Sequence, residues 1–245
     1  MRSSATLMGF EPALGCQGPL GPRSAAFDVL RCGLNATARA ELDSLFRETY
    51  AVEPGQAVYR CGKSANTYYL LLSGTTKIIT EHEDGHQQVT AYHLAGDIIG
   101  GEGLALHAHL DSAIALEPCT VAKVALRWLE TLALRHPQLQ HNLLRMMAVE
   151  LCRTRELLLL GNLRAEQRVA YFLLDIAERR RQRGISPADF ILTLGGAEVG
   201  NLLGLTHETV SRLLRRFHRL GLLFKYGRRI ILLQEPALQA VAQGS

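Results

Sequence analysis

The chain has 245 residues, 47% apolar and 20% charged, a balance that suits a globular protein of one large or two modest domains. No stretch approaches the roughly 20 unbroken apolar residues of a membrane helix. Residues 1–21 offer Arg2 alone as a positive start and no continuous apolar block, so no signal peptide is read and the cytoplasm is the expected compartment. The formal net charge of +4 averages two unlike parts: residues 153–229 hold 15 Lys and Arg against 7 Asp and Glu, and the remainder 12 against 16. The basic part either faces a polyanion or presents a solvated surface. The five cysteines, Cys16, Cys32, Cys61, Cys119 and Cys152, are odd in number and include no C-x-x-C pair. A disulfide framework and a zinc or redox motif are therefore not expected.

In chain order, residues 1–33 are rich in Gly, Pro, Ser and Ala, with Pro12, Pro19 and Pro22 against any long helix, and read as a flexible arm. Asn35 suits the cap of a short helix with Ala38, Leu42, Leu45 and Phe46 on its apolar face. From Pro54 to about Val124, short β-rich runs at 68–72, 77–80, 87–94 and 120–124 alternate with glycine turns, as in an antiparallel barrel or roll. Asp84-Gly85 is a hairpin tip. A helix over 137–160 then carries Leu144, Met147, Leu151, Thr154 and Leu158 at alternating steps of three and four. That spacing is the seam by which two helices pair, and it makes this segment a dimer helix. A helix buried on its own domain would show a wider stripe, and Leu157, Leu159 and Leu160 do widen this one at its far end. A second helix over 165–184 is amphipathic through Val169, Phe172, Leu173 and Ile176 and ends in Arg179-Arg180-Arg181-Gln182-Arg183-Gly184, cations and then a terminating glycine.

The most informative stretch is Gly196-Ala-Glu-Val-Gly-Asn-Leu-Leu-Gly-Leu-Thr-His-Glu-Thr-Val-Ser-Arg-Leu-Leu-Arg-Arg-Phe. It reads as two helices joined at Gly204, with Gly200 small at their approach and Val199, Leu202, Leu203, Val210, Leu213 and Leu214 as shared core. Thr206 sits at the N-cap position of the second helix. Its outward face, Glu208, Ser211, Arg212 and Arg215, suits a major groove: Arg bonds guanine bidentately, Glu accepts from a cytosine amine, and Ser serves bases or phosphate. The plainer reading is a solvated helical hairpin with incidental charge. Downstream, 222–224 and 230–233 flank Lys225-Tyr226-Gly227-Arg228-Arg229, a hairpin wing whose cations suit phosphates. No Ser/His/Asp, paired-carboxylate or P-loop arrangement is found, so no enzyme is expected.

This order of parts resembles the CRP/FNR family of bacterial transcription regulators over about residues 34–240. The most specific pieces are His93-Leu-Ala-Gly-Asp-Ile-Ile-Gly and Gly200-Asn-Leu-Leu-Gly-Leu-Thr-His-Glu-Thr-Val-Ser-Arg-Leu-Leu, the latter with the Glu-x-x-Ser-Arg of the FNR-like branch. The resemblance implies an α+β chain: a flexible arm to residue 33, an antiparallel β-roll sensor domain of the cyclic-nucleotide-binding kind over 34–135, a long dimerisation helix over 136–163, and a C-terminal winged helix-turn-helix over 164–245. It further implies a homodimer reading a palindrome of TTGAT-like half-sites in double-stranded DNA. Glu208, Ser211 and Arg212 then read bases, and Thr206, His207, Arg215, Lys225, Arg228 and Arg229 hold the backbone. The hairpin at 81–86 is implied as a surface for RNA polymerase.

What the roll senses is less constrained. Cyclic-nucleotide members of the family carry a Glu after the phosphate-loop glycine and an Arg-Ser pair some ten residues on. Here the stretch runs Gly100-Gly101-Glu102-Gly103-Leu104 and ends in Asp111-Ser112. An aspartate in the arginine's place repels a cyclic phosphate, so cAMP is disfavoured. Oxygen-sensing members hold a [4Fe-4S] cluster on three closely spaced N-terminal cysteines plus one in the roll. Cys16, Cys32, Cys61 and Cys119 are the candidates here, but the spacing differs and Ala122 falls at the fourth ligand's place. Alternatively Cys61, Cys119 and Cys152 are small buried hydrophobes. The pairs His82 with His86 and His107 with His109 suit a metal or haem, or are solvated loop histidines. A second function therefore stands beside regulation, a small-molecule (nucleotide or haem) binding module whose DNA contact is secondary.

Overall fold

The computed structural model describes residues 25–81 and 84–244. They divide into two compact units, with the break between Thr154 and Arg155.

The first unit opens with α1 (Ala25–Arg31) and α2 (Ala36–Leu45), the latter capped as expected: Asn35 Oδ1 accepts from the Ala38 N–H at 2.8 Å. Eight strands follow: β1 (Thr49–Val52), β2 (Ala57–Tyr59), β3 (Thr67–Ser73), β4 (Thr75–Glu81), β5 (Gln87–Leu94), β6 (Ile98–Ile99), β7 (Ser112–Ala115) and β8 (Cys119–Ala125). They form two antiparallel sheets of four, ordered β1-β8-β3-β6 and β2-β7-β4-β5. Each sheet turns alternate side chains inward, and Val52, Leu71, Ile78, Ile99 and Val121 form the core between them. The Asp84-Gly85 turn joins β4 to β5, and Asp84 Oδ1 accepts from the His86 N–H at 2.9 Å. Helices α3 (Leu126–Arg135) and α4 (Pro137–Leu160) complete the sequence of elements up to the break and beyond it.

The arm expected up to residue 33 needs correcting at its end. Helix α1 is packed into a second core, where Leu30, Leu42, Leu70, Val124, Leu129 and Leu139 meet, and Phe27 stands edge-on to Phe46 with ring centroids 5.1 Å apart. A buried amide then fastens it. Asn142 of α4 is fully enclosed, and its Nδ2 donates to the carbonyls of Leu30 at 3.0 Å and Cys32 at 2.7 Å. The Leu30 carbonyl lies in the last turn of this short helix α1, where intrahelical donors run out, so the asparagine lowers a desolvation cost. Residues 1–24, with Pro12, Cys16, Pro19 and Pro22, lie outside the described residues.

The second unit contains α5 (Ala165–Gln182), β9 (Asp189–Ile191), α6 (Gly196–Leu203), α7 (His207–Arg219), β10 (Leu223–Tyr226), β11 (Arg229–Leu232) and α8 (Glu235–Gln243). Val169, Leu173, Val199, Val210, Phe217, Leu223, Ile230 and Leu238 are its buried centre. The wing has three strands, ordered β10-β11-β9, where the sequence suggested two. The arginines at the end of α5 do more than face solvent. Arg179 and Arg183 are buried, and Arg183 donates to the Arg179 carbonyl at 2.8 Å. Arg180 donates to the carbonyls of Ser186 and Asp189, and Arg181 reaches both oxygens of Glu235 on α8 at 2.8 Å. This run closes the loop into β9 and ties α5 to α8, consuming cations that the charge count had left available. Among the described residues, no helix is long and apolar enough to cross a membrane.

Candidate nucleic-acid interface

Helices α6 and α7 form a helix-turn-helix. Gly204 ends α6 in the left-handed conformation (φ 64°), which lets the chain reverse within three residues. Gly200 allows the helices to close: a Cβ built there would lie 2.6 Å from the Leu205 carbonyl oxygen. Arg168 of α5 braces the turn, donating to the Leu203 carbonyl at 3.0 Å. Thr206 caps α7 by accepting from the Thr209 N–H at 3.2 Å.

Helix α7 buries Val210, Leu213, Leu214 and Phe217 and turns Glu208, Ser211, Arg212 and Arg215 outward on the opposite face. The Glu208 carboxylate is held below the usual range, chiefly by its own backbone N–H and then by the Thr206 hydroxyl, and so stays an ionised acceptor. Arg212 is exposed and makes no ion pair or hydrogen bond among the described residues. Arg215 donates to the Ser211 carbonyl at 3.3 Å, whereas Arg216 turns away to Glu166 at 2.7 Å.

On the wing, Lys225 Nζ donates to the Gly227 carbonyl at 2.8 Å, and Arg228 Nε donates to the Leu192 carbonyl at 3.0 Å. Neither has an acidic partner among the described residues. Arg229 differs: β11 pairs with β9, and its guanidinium takes both oxygens of Asp189, one at 2.9 Å. Of the three wing cations named from sequence, two keep an uncompensated charge. Asp189 was not singled out, because its relevance depends on a strand pairing forty residues long.

Four of the five seam residues of α4 are large and apolar, and all four are open: Leu144 is 62% exposed, Met147 49%, Leu151 71% and Leu158 74%. Thr154 is also exposed, and its hydroxyl donates to the Glu150 carbonyl of its own helix at 3.0 Å.

The interior of the roll corrects the reading of one histidine. His107 is exposed with φ 54°, but His109 is buried, its ring stacked on Tyr59 at a centroid distance of 3.9 Å. His109 Nδ1 meets Glu102 Oε1 at 3.2 Å, and the Tyr59 hydroxyl faces the carboxylates of Glu102 and Asp111. Ser112 is also engaged, accepting from the Cys61 N–H at 2.9 Å. A neighbouring cluster links the β5–β6 turn to α4: the buried Asp97 accepts from the Leu94 N–H at 2.9 Å and lies 3.7 Å from Arg153.

Burial, and then the charge of Glu102, push the Asp111 carboxyl up to about 6. Its value rises on folding, so the native state holds this proton more tightly than the unfolded chain. The associated stability is present below the unfolded value and is lost as pH rises towards about 6. Asp111→Asn, which keeps the shape without the charge, is expected to raise the thermal midpoint at roughly pH 8 and to change it little at about pH 3, below the unfolded value. Equal shifts at both pH values in a melting experiment would remove this account.

The described cysteines do not build a cluster site, and Cys32 is disulfide-bonded, which removes it as a thiolate ligand and corrects the expectation of a chain without disulfides. Cys61 is exposed at a turn, which corrects its reading as a buried hydrophobe. Cys119 is buried in the inter-sheet core and Cys152 is half-buried on α4. The Cys119 thiol donates to the carbonyls of Glu117 and Thr75, and burial raises its pKa. Among the described residues no group of three or more His, Cys, Asp or Glu is arranged to hold a metal. Cys16 and His82 lie outside the described residues.

Comparison with known proteins agrees with this architecture. Residues 50–136 match the cyclic nucleotide-binding domain model and residues 167–241 the Crp-like helix-turn-helix domain model. The chain is 36% identical over 210 residues to the fumarate and nitrate reduction regulatory protein of Salmonella typhi, covering 85% of this chain and 84% of that one. The identity and coverage are the same for electron transport regulator A of Shewanella oneidensis. Among solved structures, FixK2 of Bradyrhizobium japonicum superposes with a TM-score of 0.73 at 30% identity, over 79% of this chain and 96% of that one. A two-sheet roll, a long helix and a winged helix-turn-helix, matched along most of their length by such relatives, place the chain in the CRP/FNR family of transcription regulators.

Proposed function

We propose that the protein acts as a homodimer that binds a palindrome of TTGAT-like half-sites and contacts RNA polymerase. The observation that carries this reading is the outward face of α7. It presents an ionised Glu208, Ser211 and an unengaged Arg212 at the spacing a recognition helix needs, backed by a glycine turn that fixes its angle. Thr206, Arg215, Lys225 and Arg228 supply the phosphate contacts that set register. Arg229 contributes less, because Asp189 already neutralises it. The exposed seam of α4 supports pairing of two chains, and a two-fold axis through it matches a palindrome.

The roll does not take a cyclic nucleotide in this reading. Glu102 and Asp111 both face the Tyr59 hydroxyl, and two carboxylates there oppose a phosphodiester. Regulation, not catalysis, is the role assigned to the whole chain.

Arg212→Ala is expected to weaken binding to the palindrome by about 1–3 kcal/mol per half-site and to erase discrimination at one guanine. Arg228→Ala should weaken all duplexes alike and lower the salt dependence. Anisotropy titrations on the palindrome and on a scrambled duplex separate the two. Retention of the preference for TTGAT-like DNA by Arg212→Ala would refute the assignment of α7.

A further inference from the structure

His207 opens α7 beside the reading face, and its ring does not hang free in solvent. Its Nε2 lies 3.3 Å from Ser211 Oγ, one helical turn along. The ring also rests on the first residue of α6: a Cβ built at Gly196 would stand 2.5 Å from His207 Cδ2 and 2.9 Å from Nε2. A side chain at position 196 is therefore incompatible with this placement of the ring, and Gly196 acts as a seat for it.

We propose that His207 is a positioning residue that fixes the hydroxyl of Ser211 for base recognition, and that Gly196 holds His207 in place. The proposal rests on α7 being the reading helix. A serine hydroxyl on a helix surface is a free rotor, and it competes for the carbonyl four residues back. With Nε2 beside it, one of its two capacities is taken. If Nδ1 carries the imidazole proton, the hydroxyl donates to Nε2 and its oxygen is left to accept from a base edge. If Nε2 carries the proton, the ring donates and the hydroxyl is left to donate. In both cases the rotor is set before DNA arrives, so binding does not have to freeze it.

The test uses the full chain in anisotropy titrations on a TTGAT-type palindrome, its symmetric single-base-pair variants and a scrambled duplex. His207→Phe keeps a flat ring over Gly196 but removes Nε2. Gly196→Ala displaces the ring without touching the reading face. Both are expected to reduce discrimination about three- to tenfold at the base pair where Ser211→Ala also reduces it, the worth of one hydrogen bond. Binding of Gly196→Ala to the scrambled duplex should stay unchanged. His207→Gln, whose amide reaches Ser211, should restore discrimination, which a purely structural role would not. Full discrimination in His207→Phe would overturn the proposal, as would an equal loss on every duplex, the mark of a phosphate contact. If Arg212→Ala abolishes discrimination while the His207 and Gly196 variants keep it, the positioning role fails and the reading helix stands. If Arg212→Ala is also without effect, both fall. Should Gly196→Ala not fold, the Phe and Gln variants decide.

Discussion

Leu151→Glu is expected to yield a monomer that no longer holds its palindrome. Helix α4 has 24 residues and is therefore about 36 Å long, and Leu151 stands near the middle of its exposed stripe. Burying one leucine in a paired seam is worth about 1.5–3 kcal/mol, and a two-fold interface counts each position twice. The glutamate removes that contribution and faces its own copy across the seam, so repulsion adds to the loss. A monomer meets one half-site at a time and forfeits the effective concentration that tethers the second reader. Affinity for the palindrome should fall by about 100-fold or more. Sedimentation velocity reads the association and anisotropy reads the affinity. A Leu151→Glu chain that still sediments as a dimer would place the interface elsewhere.

Gly200→Val is expected to disable the reader from within. Two effects oppose each other at this site. Replacing glycine inside a helix gains up to about 1 kcal/mol in propensity for alanine and less for valine. Against this, the new Cβ would lie 2.6 Å from the Leu205 carbonyl oxygen and 3.3 Å from the His207 backbone nitrogen. Those atoms belong to the backbone of the turn and cannot swing aside as a side-chain tip would. The two branches of valine add atoms beyond the Cβ, so the clash wins, at about 3 kcal/mol. Since α6 and α7 must separate to relieve it, DNA binding should be lost even where the fold survives. Calorimetry together with titration on the palindrome checks this. Native stability with native affinity would show that the helices do not approach as described.

The elements that were legible in the sequence are those whose signals are local. The turn at Gly204, the caps at Asn35 and Thr206, the hairpin at Asp84-Gly85 and the long seam of α4 each announce themselves within a few residues. The candidate reading face belongs to this class, because Glu208, Ser211 and Arg212 lie within five residues on one helix. What was not legible depends on pairing across the chain. Strand β9 has three residues, too few for an alternation, and exists because β11 offers it an edge. The same pairing brings Asp189 to Arg229 and removes a cation from the wing. His109 looked like one of two loop histidines, yet the fold carries it under the ring of Tyr59, fifty residues earlier. Helix α1 was hidden by its Gly- and Pro-rich surroundings and is held by a side chain more than a hundred residues away.

The Asp97–Arg153 pair makes two pieces of the chain move as one. Its carboxylate sits in the tight turn before β6, where the Leu94 N–H anchors it, and its cation stands on α4 two positions beyond Leu151. Asp97 is buried and also has the His93 ring 3.8 Å away, and drawing Arg153 off it removes a cation from a desolvated carboxylate, so the two sides do not slide past each other cheaply. A shift of that turn is therefore a torque on the helix, applied beside its exposed apolar stripe. The sheet acts as the handle of a wrench and the helix as its jaw.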